Sequence, residues 1–252
     1  MAEVPAAAQV LAILRYFARQ AGPVGAAAIT RDLQLPRSTT YHLLSTLIEA
    51  GFVVHLPEER RYALGVSAYE LGTGYTRQAP LQRLARVPLA TLVDRLGQSA
   101  HLAVLHGREV IYVIEERAPG RPPLVTDVGV RLPAQLTASG RAMLAVLPKP
   151  AVRALFPDAS AFVRRHELGP TNYAELRRLL TAVTKAGYAT ENGEVTPGFA
   201  SVAAPVTDHA GHPVAAVAVT FGVAEGDPDA LADAVRRTAA EIARRVGGTP
   251  PA

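Results

Sequence analysis

The sequence predicts an α+β fold divided into two domains, and three observations lead to that prediction. The 252 residues correspond to one large domain or two smaller ones, at roughly 100–200 residues per domain. Three helical patterns followed by a β-hairpin fill residues 1–65. Beyond residue 81, short strand patterns alternate with amphipathic helices, which is typical of an antiparallel sheet covered by helices.

The composition excludes several classes of protein. The chain has no Cys, which rules out disulfides, thiolate metal sites, iron–sulfur clusters and a Cys nucleophile. With 49% apolar residues it can form a packed core, and its net charge of +4 is too small to bind nucleic acid by bulk charge alone. Neither a signal peptide nor an apolar run of 18 residues is visible, so we expect a soluble cytoplasmic protein with no membrane contact.

The N-terminal pattern is that of a winged helix-turn-helix, in which three helices precede a β-hairpin. Leu44 and Leu47 belong to the buried stripe of the third helix, and Gly51 follows it as a C-terminal cap. Pro36 suits the start of that helix, where its missing N–H is not needed. The predicted elements are helices over residues 4–20, 26–33 and 37–50, strands over 52–56 and 61–64, and a turn over 57–60.

The first turn of the third helix and the turn of the hairpin carry side chains suited to DNA. A helix N-terminus favours an anion, hydroxyls can donate to phosphate oxygens, and arginines at a hairpin turn can reach a phosphate or the minor groove. Ser and Thr after a loop are more often helix caps, but a short preceding helix and a basic wing together favour DNA. The candidate DNA contacts are Arg37, Ser38, Thr39, Thr40, His42, Arg60 and Arg61.

The charge of this N-terminal region indicates that one copy would bind DNA weakly. Residues 1–78 contain seven Arg against six Asp or Glu, a net charge of +1. Protein–DNA affinity at physiological salt depends on neutralised phosphates, and linking several weak modules raises it. We therefore expect a homodimer or a dimer of dimers.

The rest of the chain predicts a connecting segment and an α+β domain. A helix over residues 66–74 and a polar hinge over 78–87, which contains Pro80, precede that domain. Its predicted elements are helices over 81–96, 138–147, 173–186 and 229–246, and strands over 99–106, 109–115, 124–127, 188–191, 201–207 and 214–221.

Two segments of the second domain are candidates for binding a small molecule. A helix that opens after a loop offers free backbone N–H groups to an anion, and a glycine there lets a ligand approach. A helix cap and a close-packing glycine explain the same residues equally well, and loop carboxylates are more often solvated than functional. The candidates are Thr137, Ala138, Ser139 and Gly140 at the helix start, and Glu191, Glu194 and Ser201 on the opposite wall.

Metal binding and catalysis have little support. His209 and His212 lie beside Asp208, but the segment is interpreted first as a hairpin turn and not as a metal site. His101 and His106 have no carboxylate partner nearby in the sequence and are interpreted as structural. No P-loop or catalytic motif is present, so we expect neither an enzyme nor a cofactor. A small-molecule enzyme, or a winged helix that binds protein instead of DNA, stays open as the alternative.

Several segments recur in the order and spacing of a known family. They are LPRSTTYHLLSTLIEAGFV and RYALGVSAYELG in the first part, and HLAVLHGREVIYV, VGVRLPAQLTASGRAML, GYATENGEVTPG and SVAAPVTDHAGHPVAAVAV in the second. On these segments the chain resembles the IclR family of bacterial transcriptional regulators over almost its whole length.

The resemblance implies three regions and a function. It implies a winged helix-turn-helix over residues 1–65, a linker helix and hinge over 66–80, and a GAF/PAS-like effector and oligomerisation domain with a curved antiparallel sheet over 81–252. The implied function is a ligand-responsive regulator, more often a repressor, that binds a palindromic operator in double-stranded DNA and is switched by a small organic metabolite.

The chain departs from the family pattern at several implied site positions. Members commonly have Arg where this chain has His42, Asp at Glu191 and Cys at Ser201. Ala218 and Thr220 lie on a strand that often supplies two Ser to the ligand, so the resemblance adds both as effector-binding candidates. A pocket with a longer acid, no thiol and one hydroxyl fewer predicts a carboxylate or aromatic effector that is larger or more apolar than a two-carbon acid.

Overall fold

The computed structural model describes residues 4–18, 20, 22–78 and 81–249. The chain forms two compact units, residues 1–80 and 81–252. Predictions that fall on residues 1–3, 19, 79–80 and 250–252, the hinge residue Pro80 among them, lie outside the described residues. None of the described helices is both long and apolar enough to cross a membrane.

The first unit is a three-helix core with a two-stranded antiparallel wing, as predicted. Ile13 and Phe17 of the first helix pack with Ile29 of the second and with Leu44 and Leu47 of the third, so helical spacing of apolar residues creates the core. The helix after the wing ends at residue 78 and is longer than the predicted 66–74. The elements are α1 (Pro5–Ala18), α2 (Ala26–Asp32), α3 (Arg37–Glu49), β1 (Val53–Leu56), β2 (Arg61–Leu64) and α4 (Val66–Gln78).

The second unit is built on one curled, six-stranded antiparallel sheet, which confirms the predicted fold class. Its elements are α5 (Leu81–Leu96), β3 (Ser99–His106), β4 (Glu109–Glu116), β5 (Arg131–Pro133), α6 (Ala138–Val146), α7 (Lys149–Leu155), a 3-10 turn (Ala159–Ala161), α8 (Tyr173–Ala186), β6 (Ala189–Asn192), β7 (Phe199–Thr207), β8 (Pro213–Gly222) and α9 (Pro228–Arg245). The strand order is β5-β4-β3-β8-β7-β6.

Helices cover both faces of this sheet. Helices α5 and α9 pack on one face, and α6 with α8 packs on the other. Because successive strand residues point to opposite faces, Val202 and Val219 contact the α9 side while Ala203 and Ala218 contact the α6 side. Short alanine side chains of the sheet therefore lie under α6.

Two predicted segments of the second unit are wrong. Residues 124–127 form no strand, and the outer strand is instead β5, which pairs with β4. Thr126 uses its hydroxyl to contact the His101 ring, so this segment is held by side chains and not by a strand ladder. The predicted hinge over 78–87 is helical from Leu81 onward, because Ala85 and Leu89 continue a buried helical stripe. Helix α7 was not predicted.

Candidate functional site

The turn between α2 and α3 positions the start of α3. The N–H of Leu35 donates to the carbonyl of Thr30 at 3.1 Å, and Gln34 adopts a left-handed conformation with φ of 54°. Pro36 is the N-cap residue, and α3 begins at Arg37, as predicted. No side chain caps this helix end, so its first N–H groups stay open to an external acceptor.

One face of α3 is exposed and polar. Arg37, Ser38, His42 and Ser45 are exposed at helical spacing, while Thr39 is half-buried. The Arg37 guanidinium lies 5.8 Å from the centre of the exposed Tyr41 ring, which orients it along the same face. The structure therefore brings Arg37, Ser38 and His42 together on a surface that can enter a DNA groove.

Thr40 is a correction to the predicted DNA contacts. Its side chain is 0% exposed. Its hydroxyl donates to the carbonyl of Pro36 at 3.2 Å and accepts from the hydroxyl of Thr30 at 3.2 Å. Thr40 therefore ties α2 to α3 inside the unit and cannot reach a phosphate.

The wing turn carries both predicted arginines on its exposed surface. Arg60 has φ of 52° at the end of the turn, and Arg61 donates from Nη1 to the carbonyl of Pro23 at 3.3 Å. Glu58 and Glu59 occupy the same turn and offset these two charges. The wing is thus locally neutral, which fits the low net charge of the whole unit.

In the second unit, a small cavity lined by polar and apolar side chains lies between the start of α6 and the sheet. We name it the Glu191 cavity. Its open space is about 10 Å³, about enough for one water molecule. Seven of the nine predicted effector residues line it, namely Thr137, Ala138, Ser139, Glu191, Ser201, Ala218 and Thr220.

A chain of hydrogen bonds crosses the floor of the Glu191 cavity. The Ser201 hydroxyl donates to Glu191 Oε1 at 2.7 Å and lies 3.0 Å from the Thr220 hydroxyl. These three residues are direct neighbours in register across β6, β7 and β8, which explains the row. The row can accept hydrogen bonds from hydroxyl groups of a ligand.

Glu191 is a buried carboxyl group, 3% exposed. Burial is the main cause that raises its pKa from 4.5 to about 7, and the nearby charge of Glu194 adds to the rise. The bonds from Ser201 and from the Val195 N–H act in the opposite direction. Among the described residues that line the cavity, none is Lys or Arg.

His101 lines the same cavity, which corrects its interpretation as a merely structural residue. Its Nε2 lies 2.8 Å from the Thr126 hydroxyl, and its Nδ1 is buried without a partner. Burial lowers the pKa of His101 from 6.5 to about 4, so the ring is neutral at pH 7. Tyr112, Leu124, Thr126 and Phe199 also line the cavity and were missed. Their only sequence signal was the period-two pattern of the strands and the polar loop before β5.

Two predicted effector residues do not line the Glu191 cavity. A Cβ atom at Gly140 would lie 2.1 Å from the carbonyl oxygen of Ala134, so this glycine allows backbone contact and not ligand approach. Glu194 instead pairs with Arg141, whose Nη2 lies 2.7 Å from Glu194 Oε1. Thr137 accepts a bond from the Gly140 N–H, so it is both a helix cap and a lining residue.

Arg141 holds the start of α6 against the strands. It is 4% exposed, and it donates to the carbonyls of Gln135 at 2.9 Å and Thr190 at 2.8 Å in addition to the Glu194 carboxylate. All three contacts are charge-assisted, which makes them stronger than neutral hydrogen bonds. Arg141 therefore fixes the helix end beside Glu191 without facing the cavity.

The described residues contain no group of three or more His, Asp or Glu side chains that could hold a metal ion. His212 and Asp208 approach only to 3.9 Å, and Asp208 accepts bonds from the N–H groups of Ala210 and His212 instead. This segment is the predicted turn between β7 and β8.

Comparisons with known proteins agree with this architecture. The model of the IclR helix-turn-helix domain matches residues 6–57, and the model described as "Bacterial transcriptional regulator IclR C-terminal" matches residues 73–244. The chain belongs to the IclR family. It is accordingly a DNA-binding transcriptional regulator with an effector-binding C-terminal domain, and not an enzyme.

Relatives of this IclR-family regulator cover nearly all of it. The glycerol operon regulatory protein of Streptomyces coelicolor is 33% identical over 94% of both chains. The transcriptional repressor AllR of Klebsiella pneumoniae is 25% identical over 96% of this chain and 90% of its own. A crystal structure of an IclR-type regulator from a Silicibacter species matches 98% of this chain and 97% of its own, with a TM-score of 0.72 and 26% identity.

Proposed function

We propose that this IclR-family regulator is a ligand-responsive repressor that binds a palindromic operator through α3 and the wing and is released by a small metabolite. One observation carries the proposal: an exposed polar helix start with open N–H groups and a cavity with a row of polar side chains occur in separate units of one chain. The first suits a phosphate backbone and the second suits a small molecule.

The proposed DNA contacts are Arg37, Ser38, Thr39 and His42 on α3, and Arg60 and Arg61 on the wing. Arg37 is the cation on the exposed first turn of α3, and His42 can donate a hydrogen bond but has no guanidinium fork. Two copies would contact half-sites about 34 Å apart, or a multiple of that distance, on a two-fold operator.

Arg37→Ala tests the DNA-binding role. Loss of a phosphate or base contact is worth about 1–3 kcal/mol, so operator affinity should fall roughly tenfold or more. The measurement is a gel shift with the DNA upstream of the regulator's own gene. Arg177→Ala removes the same charge from an exposed position in the other unit and should leave the shift unchanged. Equal shifts for both variants would contradict the assignment.

The proposed effector is a carboxylate or aromatic compound larger or more apolar than a two-carbon acid. Tyr112, Leu124 and Phe199 give the Glu191 cavity an apolar portion, and the Glu191–Ser201–Thr220 row gives it a polar one. Calorimetric titration tests the size preference. Tighter binding of glyoxylate or pyruvate than of any larger acid or aromatic compound would refute it.

Self-association as a homodimer or dimer of dimers belongs to the same proposal. The described part of α4 exposes Val66, Tyr69 and Leu71, which are each about two-thirds or more exposed. Clustered exposed apolar side chains mark interaction surfaces. Ligand binding would then act by shifting the population of assemblies whose reading helices match the operator spacing.

A further inference from the structure

A second cavity lies beside the Glu191 cavity in the same unit. We name it the Gln98 cavity after one of the residues that line it. Its open space is about 280 Å³, against about 10 Å³ for the Glu191 cavity. Small-molecule sites usually measure about 300–1,000 Å³, so the Gln98 cavity supplies room that the Glu191 cavity lacks. Leu124, Phe199 and Thr220 line both, so the two cavities adjoin each other at these residues.

A row of polar residues runs from one cavity to the other. Glu191, Ser201, Thr220 and Ser99 are consecutive neighbours in register across β6, β7, β8 and β3. Glu191 and Ser201 line the first cavity, Thr220 lines both, and Ser99 lines the second. A ligand that extends along this row would meet hydrogen-bonding groups over its whole length.

Two residues that line these cavities each carry a buried polar atom without a partner. Among the described residues, these atoms are His101 Nδ1, in a side chain of the Glu191 cavity, and Gln98 Oε1, in a side chain of the Gln98 cavity. Buried polar atoms in folded proteins nearly always have a hydrogen-bond partner. Both exceptions therefore fall on residues that line the two cavities, although the atoms themselves are closed to solvent.

The cation available to the ligand lines the Gln98 cavity and not the Glu191 cavity. Among the described residues that line either cavity, Arg121 is the only Lys or Arg. It donates from Nε to the carbonyl of Gly97 at 3.0 Å and pairs through Nη1 with Glu225. The side chains of Arg121 and Glu225 are 30% and 55% exposed, and such exposed ion pairs add little stability. A ligand carboxylate can therefore replace Glu225 on Arg121 at small cost.

We propose that the effector is an elongated hydroxy acid that spans both cavities, with its carboxylate on Arg121 and its hydroxyl on Glu191 and Ser201. This inference rests on the proposed function, because it takes the Glu191 cavity as the effector site. The opposite orientation would place a carboxylate against the Glu191 carboxyl group with no described cation lining that cavity. The chosen orientation gives each end of the molecule a complementary partner.

Calorimetric titration of the full chain with defined probes tests the proposal. The probes are para-hydroxybenzoate, para-hydroxyphenylpropionate, para-hydroxyphenylvalerate and the primary amide of the last. Because only a long acid can reach Arg121 while its hydroxyl contacts Glu191, the better of the two longer acids should bind roughly tenfold or more tightly than para-hydroxybenzoate. It should also bind roughly tenfold more tightly than the amide, which has no charge for Arg121.

Two variants at the outer end provide matched controls. Arg121→Gln should abolish the advantage of the best acid over the amide. Glu225→Gln removes the competing carboxylate, so it should raise the affinity for the acid several-fold and leave that for the amide unchanged. Equal binding of short and long acids, an unchanged acid affinity in Arg121→Gln, or no binding of any probe overturns the proposal.

Gel shifts with the same proteins separate this inference from the proposed function. Wild-type operator binding by both variants, combined with a failed titration, refutes the bipartite effector and leaves the regulatory function standing. Failure of the wild-type chain to bind its operator refutes the proposed function itself.

Discussion

At the scale of single residues, burial decides which polar side chains of this regulator can meet a ligand or DNA. The sequence placed Thr40 beside Ser38 and Thr39 as equivalent hydroxyls, yet helical geometry turns Thr40 inward to bond Thr30. In the second unit, the same kind of burial keeps Glu191 and His101 against the cavity as a carboxyl group and a neutral ring. Residue type was readable from the sequence, but side-chain direction depended on the packing of neighbouring elements.

Glu191→Gln should alter the pH dependence of stability. The pKa of Glu191 rises from 4.5 to about 7 on folding, so the folded state binds its proton more tightly and loses stability as pH increases through this window. At about 1.4 kcal/mol per pH unit, the loss approaches ~3 kcal/mol above pH 7. The variant should therefore be more stable than wild type at pH 8 and equally stable near pH 4.5.

Urea denaturation of both proteins at several pH values measures this difference. His101 acts in the other direction, since its lowered pKa removes stability as pH falls from 6.5 toward 4. That loss is common to both proteins and cancels in the comparison. A difference that does not grow with pH would show that Glu191 ionises normally.

At the scale of elements, α6 is the part of the candidate site that the sequence described best. Its start, its Thr137 cap and its place beside the cavity follow from the pattern of a loop, a capping residue and an apolar helix. The cavity-lining residues on loops were harder to predict from the sequence. Residues 124–127 have a strand-like pattern, but they follow two prolines and are held by the contact of Thr126 with His101. The short strand β5 has only three residues, too few for a period-two signal.

Gly140→Ala should disrupt the start of α6. The added Cβ would lie 2.1 Å from the Ala134 carbonyl oxygen, and backbone cannot yield as a flexible side chain can. We expect a loss of about 3 kcal/mol or more in thermal unfolding of the second unit. Gly74→Ala is the control for the same chemistry, since a Cβ there meets nothing within 4 Å, and it should be neutral or stabilising by up to about 1 kcal/mol.

Glu194→Ala should weaken the contact between α6 and the segment after β6. It leaves the buried Arg141 guanidinium without its carboxylate, and breaking one side of a buried pair costs about 3–5 kcal/mol. Glu225→Ala removes the more exposed partner of Arg121 and should cost less than about 1 kcal/mol. Similar unfolding midpoints for these two variants would mean that burial of the Arg141–Glu194 pair adds nothing to the stability of the folded chain.

At the scale of the whole molecule, two features favour self-association. They are the low net charge of the first unit and the exposed apolar side chains of α4. Both the α+β class and the order of helices, wing and sheet followed from the sequence, because they depend on hydrophobic periodicity. The interface for assembly could not be predicted from hydrophobic periodicity, because the sequence does not show whether the side chain of Tyr69 is exposed or buried. The extent of the Glu191 cavity depends on how six strands and α6 fit together, which no local pattern contains.

Tyr69→Glu should weaken self-association of the full chain. Tyr69 is 73% exposed, and a charge placed in an apolar contact opposes its desolvation. We expect the dimer to dissociate at concentrations roughly tenfold or more above those of wild type in sedimentation equilibrium, with weaker operator binding. Val163→Glu introduces the same charge at an exposed apolar position of the second unit and should change neither property. Unchanged association of Tyr69→Glu would exclude this side chain from the interface.

The alanines that β7 and β8 present to α6 have a practical consequence for protein engineering. Ala218 lines the Glu191 cavity and Ala203 lies beside it in register, so each can be exchanged for Gly or Ser with a small change in volume and none in backbone hydrogen bonding. These positions lie on a rigid sheet in the second unit, separate in sequence from α3 and the wing. Substitutions at these two positions change the shape and polarity of the Glu191 cavity and leave the exposed side chains of α3 as they are.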